Sequence, residues 1–421
     1  VDADDPGATD ARSVKIVAGR SRPIVAATGL KRRARAVEAR SKRAAREVTD
    51  YVTARPAAAR LGGTVEARST ARGSADERAP QRGLRRSRMA FTVATFNVKD
   101  MLDESTPPLS EDPEAARRLY RAKLEAIAPM VRRIDADVIA FQEISSARVL
   151  DDLKALLPAR DGRPHGGYGA AVAGSPDRRG IACGILSRFP VVATCDHRPK
   201  DLEFPAFRAG DLRPFPEQRV YAHRGVLEAQ LAMPDGSKLV VLDLHLKSNL
   251  PIPLEDELKQ PVPFDGHHAH AEGLVRSLVT RVAEGLFVRK LVDAWLDADP
   301  NVALVVAGDF NDTEQSVAVR SVTGDLVLGA AQGGSVREGD AFAGRALIPC
   351  ARAVPAEQRY SVAFRGSVAQ IDHVLVSRAL YARFSKARFF NETLLEDLAA
   401  QGPGGVGSLA SDHAPLVAEF L

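Results

Sequence analysis

From residue 91 to the C-terminus the sequence predicts an α/β or mixed α+β domain, and three observations carry the prediction. Short apolar runs of strand length alternate with stretches whose apolar residues recur at helical spacing, as packed layers of sheet and helix require. Several of those apolar runs end on an acid, an amide or a histidine. No internal repeat or linker interrupts the region, so residues 89–421 read as one domain.

The first strand is FTVATFNV, residues 91–98, and the helix after it places Tyr120, Leu124, Ile127, Val131 and Ile134 on one face. ADVIAFQEI (136–144), IACGILS (181–187), RGVLEAQL (224–231) and KLVVLDLHL (238–246) are the next strand candidates. A second helix around Phe287–Leu296 groups Leu291, Val292 and Trp295 and leads into VALVVAGDF (302–310), with QIDHVLV (370–376) and APLVAEF (414–420) completing the series. Both helical stripes read as core rather than cofactor contacts. Residues 247–266, rich in proline, and 333–345, rich in glycine, read as long loops of the kind that form lids or flexible insertions.

Composition bounds the rest. With 421 residues, 45% hydrophobic, 27% charged and 5% aromatic, the chain is of the soluble globular class rather than fibrous or disulfide-knotted. Cys183, Cys195 and Cys350 form no C-x-x-C pair, so neither a disulfide framework nor a zinc site is encoded, and all three are expected to be small buried residues. No apolar run approaches the ~20 residues that cross a bilayer and no signal peptide is seen, which makes a cytoplasmic location the default expectation. The net charge of +4 conceals an asymmetry: residues 1–90 hold 21 Lys and Arg against 10 Asp and Glu, the remainder 37 against 44. The acidic body offers no overall field for nucleic acid. Residues 1–88, with runs such as KRRARAVEARSKRAAR, are read as a disordered or non-native leader, a nucleic-acid-binding arm being the other reading. Val1 at the start and Met89 just before the first strand favour the leader.

The informative residues are the polar ones at strand ends: Asn97, Glu143, His245, Asp309, Asn311, Asp372, Asp412 and His413. Each alone is an ordinary turn or cap, but strand ends are where α/β sheets gather ligands. The carboxylates of Glu143, Asp309 and Asp412 and the amides of Asn97 and Asn311 supply hard oxygen donors without a thiolate, a set suited to Mg²⁺ or Mn²⁺. Two histidines beside such a site are able to donate to developing charge. Metal-assisted phosphoester hydrolysis uses all of these parts. The GHHAHAEG segment, with His267, His268 and His270, has no H-x-x-x-H spacing and reads as a solvated helix entry.

FNV, FQEI, HLKS, GDFND, IDHVLVS and SDHAP, in this order, resemble the endonuclease/exonuclease/phosphatase superfamily, the deoxyribonuclease I-like fold. The resemblance spans residues 91–421 and implies a four-layered α/β sandwich, two mixed sheets packed face to face with helices outside. It implies that Glu143 holds the metal with Asn97 and Asp412 beside it, and that Asp309 and Asn311 orient the attacking water and a phosphate oxygen. His413 then contacts the scissile phosphate, Asp372 orients His413, and His245 is a second phosphate-contacting histidine. Arg224 resembles a phosphate-backbone arginine, Lys247 follows His245 as a candidate to bind phosphate or to hold the loop, and Tyr168 falls where relatives place an active-site aromatic. Gly169 and Ala170 after it supply no carboxylate partner for His245. Arg188, in ILSRFPV, is given a structural role.

The expected activity is Mg²⁺-dependent phosphodiester hydrolysis by direct attack of water, with Mn²⁺ as a substitute metal and DNA or RNA as substrate. The alternative is a phosphatase or phosphodiesterase acting on a small or lipid phosphoester such as an inositol phosphate or a sphingomyelin-like lipid. A catalytically dead binding module is disfavoured because Glu143, Asp309 and His413 are all present. No obligate protein partner is implied.

Overall fold

The computed structural model of the chain describes residues 89–106, 112–203, 222, 224–256, 260–324, 344–364, 366–394 and 410–421. The basic segment 1–88 and most of the Gly-rich stretch 333–345 lie outside the described residues.

In chain order the strands are β1 (Phe91–Met101), β2 (Val138–Ile144), β3 (Ala170–Ala173), β4 (Ala182–Ser187), β5 (Val191–His197), β6 (Val226–Ala232), β7 (Lys238–His245), β8 (Ala303–Asp309), β9 (Ile348–Pro349), β10 (Val362–Phe364), β11 (Ser367–Ala369), β12 (Asp372–Val376), β13 (Phe384–Phe389) and β14 (Leu416–Phe420). The helices are α1 (Pro113–Ile134), α2 (Ala147–Ala155), α3 (His267–Ala298), α4 (Val317–Thr323) and α5 (Arg378–Tyr381). Two six-stranded sheets run β13-β14-β1-β2-β4-β3 and β5-β6-β7-β8-β12-β9, and β10 and β11 form a separate pair. Each large sheet has one parallel pair, β1 with β2 and β7 with β8, among antiparallel neighbours.

Period-two alternation assigns the layers. In β1 and β2, Phe91, Val93, Val138 and Ala140 face β6, β7, β8 and β12 through Ala229, Val241, Val305 and Val374. Ala94, Phe96, Ile139 and Phe141 face the other way, onto Tyr120, Leu124, Ile127 and Val131 of α1 and Leu150 and Leu153 of α2. On the second sheet Val240, Leu242, Leu304 and Val306 pack against Val288, Val292 and Leu296 of α3 and Val319 and Val322 of α4. The four-layered sandwich is therefore present, with its deepest apolar core between the sheets.

One polar bridge crosses that core. Gln142 Nε2 donates to Asp243 Oδ1 at 2.7 Å and the Gly184 amide to Asp243 Oδ2 at 3.0 Å, while Thr95 Oγ1 donates to Gln142 Oε1 at 3.2 Å. Burial raises the pKa of Asp243 well above the ordinary carboxylate value. A polar group so placed is tolerated because its donors are fixed on β2 and β4 of the facing sheet, and it ties these strands to β7.

Candidate active site

The alternation that builds the core also assembles the polar cluster. Continuing the inward positions of each strand leads from Val93 to Asn97, from Val241 to His245, from Val305 to Asp309, and back from Val374 to Asp372. The register places His245 opposite Asp309 and Asp309 opposite Asp372, so three adjacent strands bring their side chains to one level. These are the carboxyl ends of β7 and β8 and the start of β12, open to loops from both sheets.

Asp309 is the centre of the cluster. Its Oδ2 accepts from Asn97 Nδ2 at 2.9 Å and lies 3.4 Å from His245 Nε2 and 4.0 Å from His413 Nε2. Its Oδ1 accepts the backbone N–H of Asn311 at 2.7 Å. Burial, reinforced by the charge of Asp372, pushes its pKa up to about 7. His413 Nδ1 meets Asp372 Oδ2 at 2.8 Å. Burial works against a charged ring, but Asp372 and then Asp309 and Asp412 outweigh it and push the imidazole up to about 10. His413 is thus an imidazolium at neutral pH, with Nε2 directed toward Asp309.

The backbone around His413 is fixed from two directions. Ser411 Oγ donates to Asn97 O at 2.6 Å and accepts the His413 N–H at 3.0 Å. The Ala414 N–H donates to Ser361 O, and Ser361 Oγ accepts the N–H groups of Ile371 and Asp372. His245 is buried beneath, and two carboxylate oxygens near its Nε2, Asp309 at 3.4 Å and Glu143 at 3.8 Å, favour its charged form. Burial first, then Arg224, His413, Arg179 and Lys247, outweigh them and hold its pKa well below the ordinary value. The two histidines therefore differ in charge at neutral pH. His245 Nδ1 has no hydrogen-bond partner among the described residues.

Glu143 stands on the opposite wall. Strict alternation would send it to the helix side with Phe141, but its φ of 65° and a break in the β2 register next to Ile144 turn the carboxylate inward. Oε2 accepts the Asp100 N–H at 2.9 Å, and Oε1 faces His245. Asn97 Oδ1 accepts the Lys99 N–H at 2.9 Å, and Asp412 pairs with Lys99 Nζ at 2.9 Å. Arg179 donates to Asp100 at 2.6 Å and lies 3.8 Å from Glu143. This wall thus gathers hard oxygen donors and compensates them with the cations of Lys99 and Arg179, a donor set that suits a hard divalent ion. A second acid and histidine cluster, Asp309, Asp372 and His413, has ligand atoms within 4.8 Å of one another. There Nδ1 of the ring is already bonded to Asp372 and the ring is cationic, which does not suit a metal ligand.

Three expected substrate contacts are placed elsewhere. Arg224 Nε donates to Asp177 Oδ2 at 3.1 Å and its Nη1 to the carbonyls of His245 and Leu246, with 8% of the side chain exposed. Its guanidinium holds the end of β7 rather than presenting charge outward. Lys247 Nζ turns into its own loop, donating to Ser248 O, Ser248 Oγ and Leu250 O. Tyr168 is buried with its hydroxyl on Ala136 O at 2.5 Å and Arg188 over its ring. Ala136 precedes β2 while Glu143 lies near its end, so Tyr168 belongs to the opposite edge of the sheet. Its alternating neighbours gave no sign of that, because the turn at Gly166 and Gly167 sets where the ring enters the core. Arg188 also bonds Gly166 O, Asp135 and Asp137, a structural knot. His267, His268 and His270 are exposed at the start of α3, as expected of a solvated helix entry.

Sequence reading passed over the residues that hold the loops. Arg281 of α3 donates to Asp312 at 2.9 Å, Asn249 at 2.7 Å and Lys247 O at 3.1 Å, and Glu284 accepts the Lys247 N–H at 2.7 Å. Asn249 Nδ2 in turn donates to Asn311 O. Asn311, at φ 52°, donates its side-chain amide to Leu246 O at 2.9 Å. Buried charges inside a helix were the one available signal, and the spacing of Arg281 and Glu284 marks a face directed at protein.

The sequence profile described as the Endonuclease/Exonuclease/phosphatase family matches residues 94–413. Among solved structures, an endonuclease/exonuclease/phosphatase family protein from Bacteroides thetaiotaomicron is 16% identical, with 79% of this chain and 95% of that one covered and a TM-score of 0.45. A mannosyl-6-phosphatase of the same organism is 17% identical, with coverage of 79% and 99% and a TM-score of 0.44. Truncated TDP2 of Caenorhabditis elegans is 15% identical, with coverage of 79% and 98% and a TM-score of 0.42. No curated protein matches the chain. Among the described residues no helix is long and apolar enough to cross a membrane.

Proposed function

The chain belongs to the endonuclease/exonuclease/phosphatase family and is a phosphoester hydrolase, and on that premise we propose that it is a Mg²⁺-dependent phosphodiester hydrolase with DNA or RNA as substrate. The observation that carries this reading is the Asp309 carboxylate held between a cationic and a neutral histidine, with Glu143 facing it across the cleft. A divalent ion held by Glu143, with Asn97 and Asp412 beside it, would polarise a phosphoryl oxygen and stabilise the leaving oxygen.

The protein groups supply the rest. Asp309, with a pKa near 7 and both oxygens fixed by Asn97 and Asn311, accepts the proton of the attacking water. His413 Nε2–H donates to a non-bridging phosphate oxygen as charge grows there, and Asp372 keeps that proton on Nε2 by engaging Nδ1. Neutral His245 presents Nε2 to the same space and positions Asp309. Water attacks phosphorus directly, with no covalent enzyme intermediate.

The test compares nicking of supercoiled plasmid with phosphate release from small phosphomonoesters, with and without Mg²⁺, in wild type and His413→Ala. Metal-dependent nicking lost in the variant is the expected result; phosphate release without nicking would overturn the nucleic-acid assignment.

One observation favours a second reading, a small or lipid phosphoester. A cavity of about 270 Å³ adjoins His413, lined by Phe96, Met130, Phe390 and Leu394 with Arg133 at its edge. Arg224 and Lys247, meanwhile, spend their cations on the protein. An apolar recess beside the catalytic histidine suits a substrate with an apolar group near phosphorus.

A further inference from the structure

A thiol, an imidazole and a carboxylate meet on the outer face of the second sheet. β5 is its edge strand, antiparallel to β6, and residues two apart share a face, so Cys195 and His197 project together. The register sets Glu228 opposite Cys195. On β6 the inward positions are Leu227, Ala229 and Leu231, which leaves Glu228 on the α3 side, where Trp295 reaches it.

The geometry is that of an oriented base beside a thiol. Cys195 Sγ lies 3.6 Å from His197 Nδ1, and His197 Nε2 lies 2.9 Å from Glu228 Oε2. Trp295 Nε1 donates to the same oxygen at 3.1 Å and Gln230 Nε2 to the other at 3.0 Å. Burial disfavours the Glu228 carboxylate, but its bonds to His197, Gln230 and Trp295 prevail and hold its pKa below the ordinary value. The clamped carboxylate engages Nε2 of the ring and so directs Nδ1 toward sulfur. A structural pair joining β5 to β6 requires His197 and Glu228 alone; it gives no reason for a thiol on the remaining nitrogen.

The three cysteines are not alike. None is in a disulfide; Cys183 and Cys350 are buried, and Cys195 is half-buried. Burial pushes the Cys183 and Cys350 thiols up, away from the reactive thiolate form. The expectation of three buried cysteines therefore fails at Cys195.

We propose that Cys195 is a thiol-modification site, activated by His197 under the orientation of Glu228, that exchanges with small-molecule disulfides. His197 Nδ1 takes the proton from Sγ, and the thiolate attacks one sulfur of the disulfide RSSR. The Sγ–S bond forms as the S–S bond breaks, RS⁻ leaves, and the imidazolium returns its proton to RS⁻. One disulfide is consumed and one mixed disulfide is formed, with no net oxidation.

The experiment treats the folded full chain with 5,5′-dithiobis(2-nitrobenzoate), follows release of the coloured thiolate, and locates the adduct by peptide mass. Labelling at Cys195 about tenfold faster than a free aliphatic thiol in the same buffer is expected. His197→Gln and Glu228→Gln each remove that acceleration while circular dichroism shows a folded chain; loss of stability alone does not slow a half-buried thiol. Adducts confined to Cys183 or Cys350, or a Cys195 rate unchanged in a folded variant, would overturn the proposal. Cys195→Ser retains wild-type phosphoester hydrolysis, since the cluster faces away from Asp309.

Discussion

His413 Nδ1 and Asp372 Oδ2 are 2.8 Å apart, and this contact joins the loop before β14 to the first residue of β12, elements of different sheets. Asp372 is 1% exposed, and its other oxygen has no partner among the described residues. The carboxylate therefore acts on the ring and on little else.

Asp372→Asn is expected to lower kcat by about 10²- to 10³-fold with a smaller change in KM, because the amide neither holds the imidazolium nor fixes its tautomer. Steady-state hydrolysis of a phosphodiester decides it, and a kcat within twofold of wild type would remove Asp372 from the machinery. The contact also affects stability. The folded pKa of His413, about 10, lies above the unfolded value near 6.5, so its stabilising contribution is complete below pH 6.5 and fades as pH rises through 10. The gap in melting temperature between wild type and His413→Gln should narrow over that interval.

Removal of the metal is the second test. Chelation should abolish turnover and added Mg²⁺ restore it, with Mn²⁺ as a substitute. Glu143→Gln keeps the shape and the Asp100 N–H bond but loses the charge, and should raise the Mg²⁺ concentration for half-maximal activity by about tenfold or more. An unchanged metal requirement would shift the anchor to Asp309, Asp372 and His413.

Arg224 separates two roles by their signatures. It shares a nearly closed environment with Asp177, their side chains 8% and 9% exposed. Removing one partner of such a pair strands the other, at about 3–5 kcal/mol. Arg224→Ala should therefore lower the melting temperature and loosen the end of β7. A phosphate contact predicts the opposite signature: a raised KM with melting unchanged.

The chain disclosed its strand ends and concealed its braces, for one physical reason. Strand periodicity is short and two-sided, so Val305, Ala307 and Asp309 announce both the core and the point where it gives way to chemistry. α3 was legible at its entry in GHHAHAEG and over Phe287–Leu296, and not through the stretch between. Its first half buries Gly273, Ser277, Thr280, Arg281 and Glu284 and exposes Leu274, Val275 and Leu278, the reverse of an apolar stripe. That half binds loops by hydrogen bonds, which hydrophobic patterning does not record. β5 escaped notice similarly, being an edge strand with much of its surface exposed.

Asp103 offers a pH test on a carboxylate outside the cluster around Asp309. One carboxylate oxygen accepts from Ser105 N, Ser105 Oγ and Thr106 Oγ1, and the other from Ser146 Oγ. Burial would raise its pKa, yet these bonds lower it below 3.8. The unfolded chain then binds the proton more tightly, so the contribution is present above pH 3.8 and lost as pH falls through the folded value. Asp103→Asn should cost on the order of 1 kcal/mol at pH 7, and the difference should shrink in acid. A gap independent of pH would mean the charge is immaterial.

Gly308 is the most exacting position in the second sheet. It precedes Asp309, sits at φ 149°, and pairs with Leu244 across the parallel β7–β8 ladder. A Cβ built there would lie 1.9 Å from Leu244 O and 2.9 Å from Leu244 C, backbone atoms that cannot step aside. Glycine is required both for the dihedral and for the approach. Gly308→Ala must part the strands that carry His245 and Asp309, so it should cost more than about 3 kcal/mol and greatly diminish folded yield. Chemical denaturation of wild type and variant measures the cost. A folded Gly308→Ala chain with a wild-type midpoint would show that β7 and β8 do not meet in this register, and the alignment of His245 with Asp309 would fall with it.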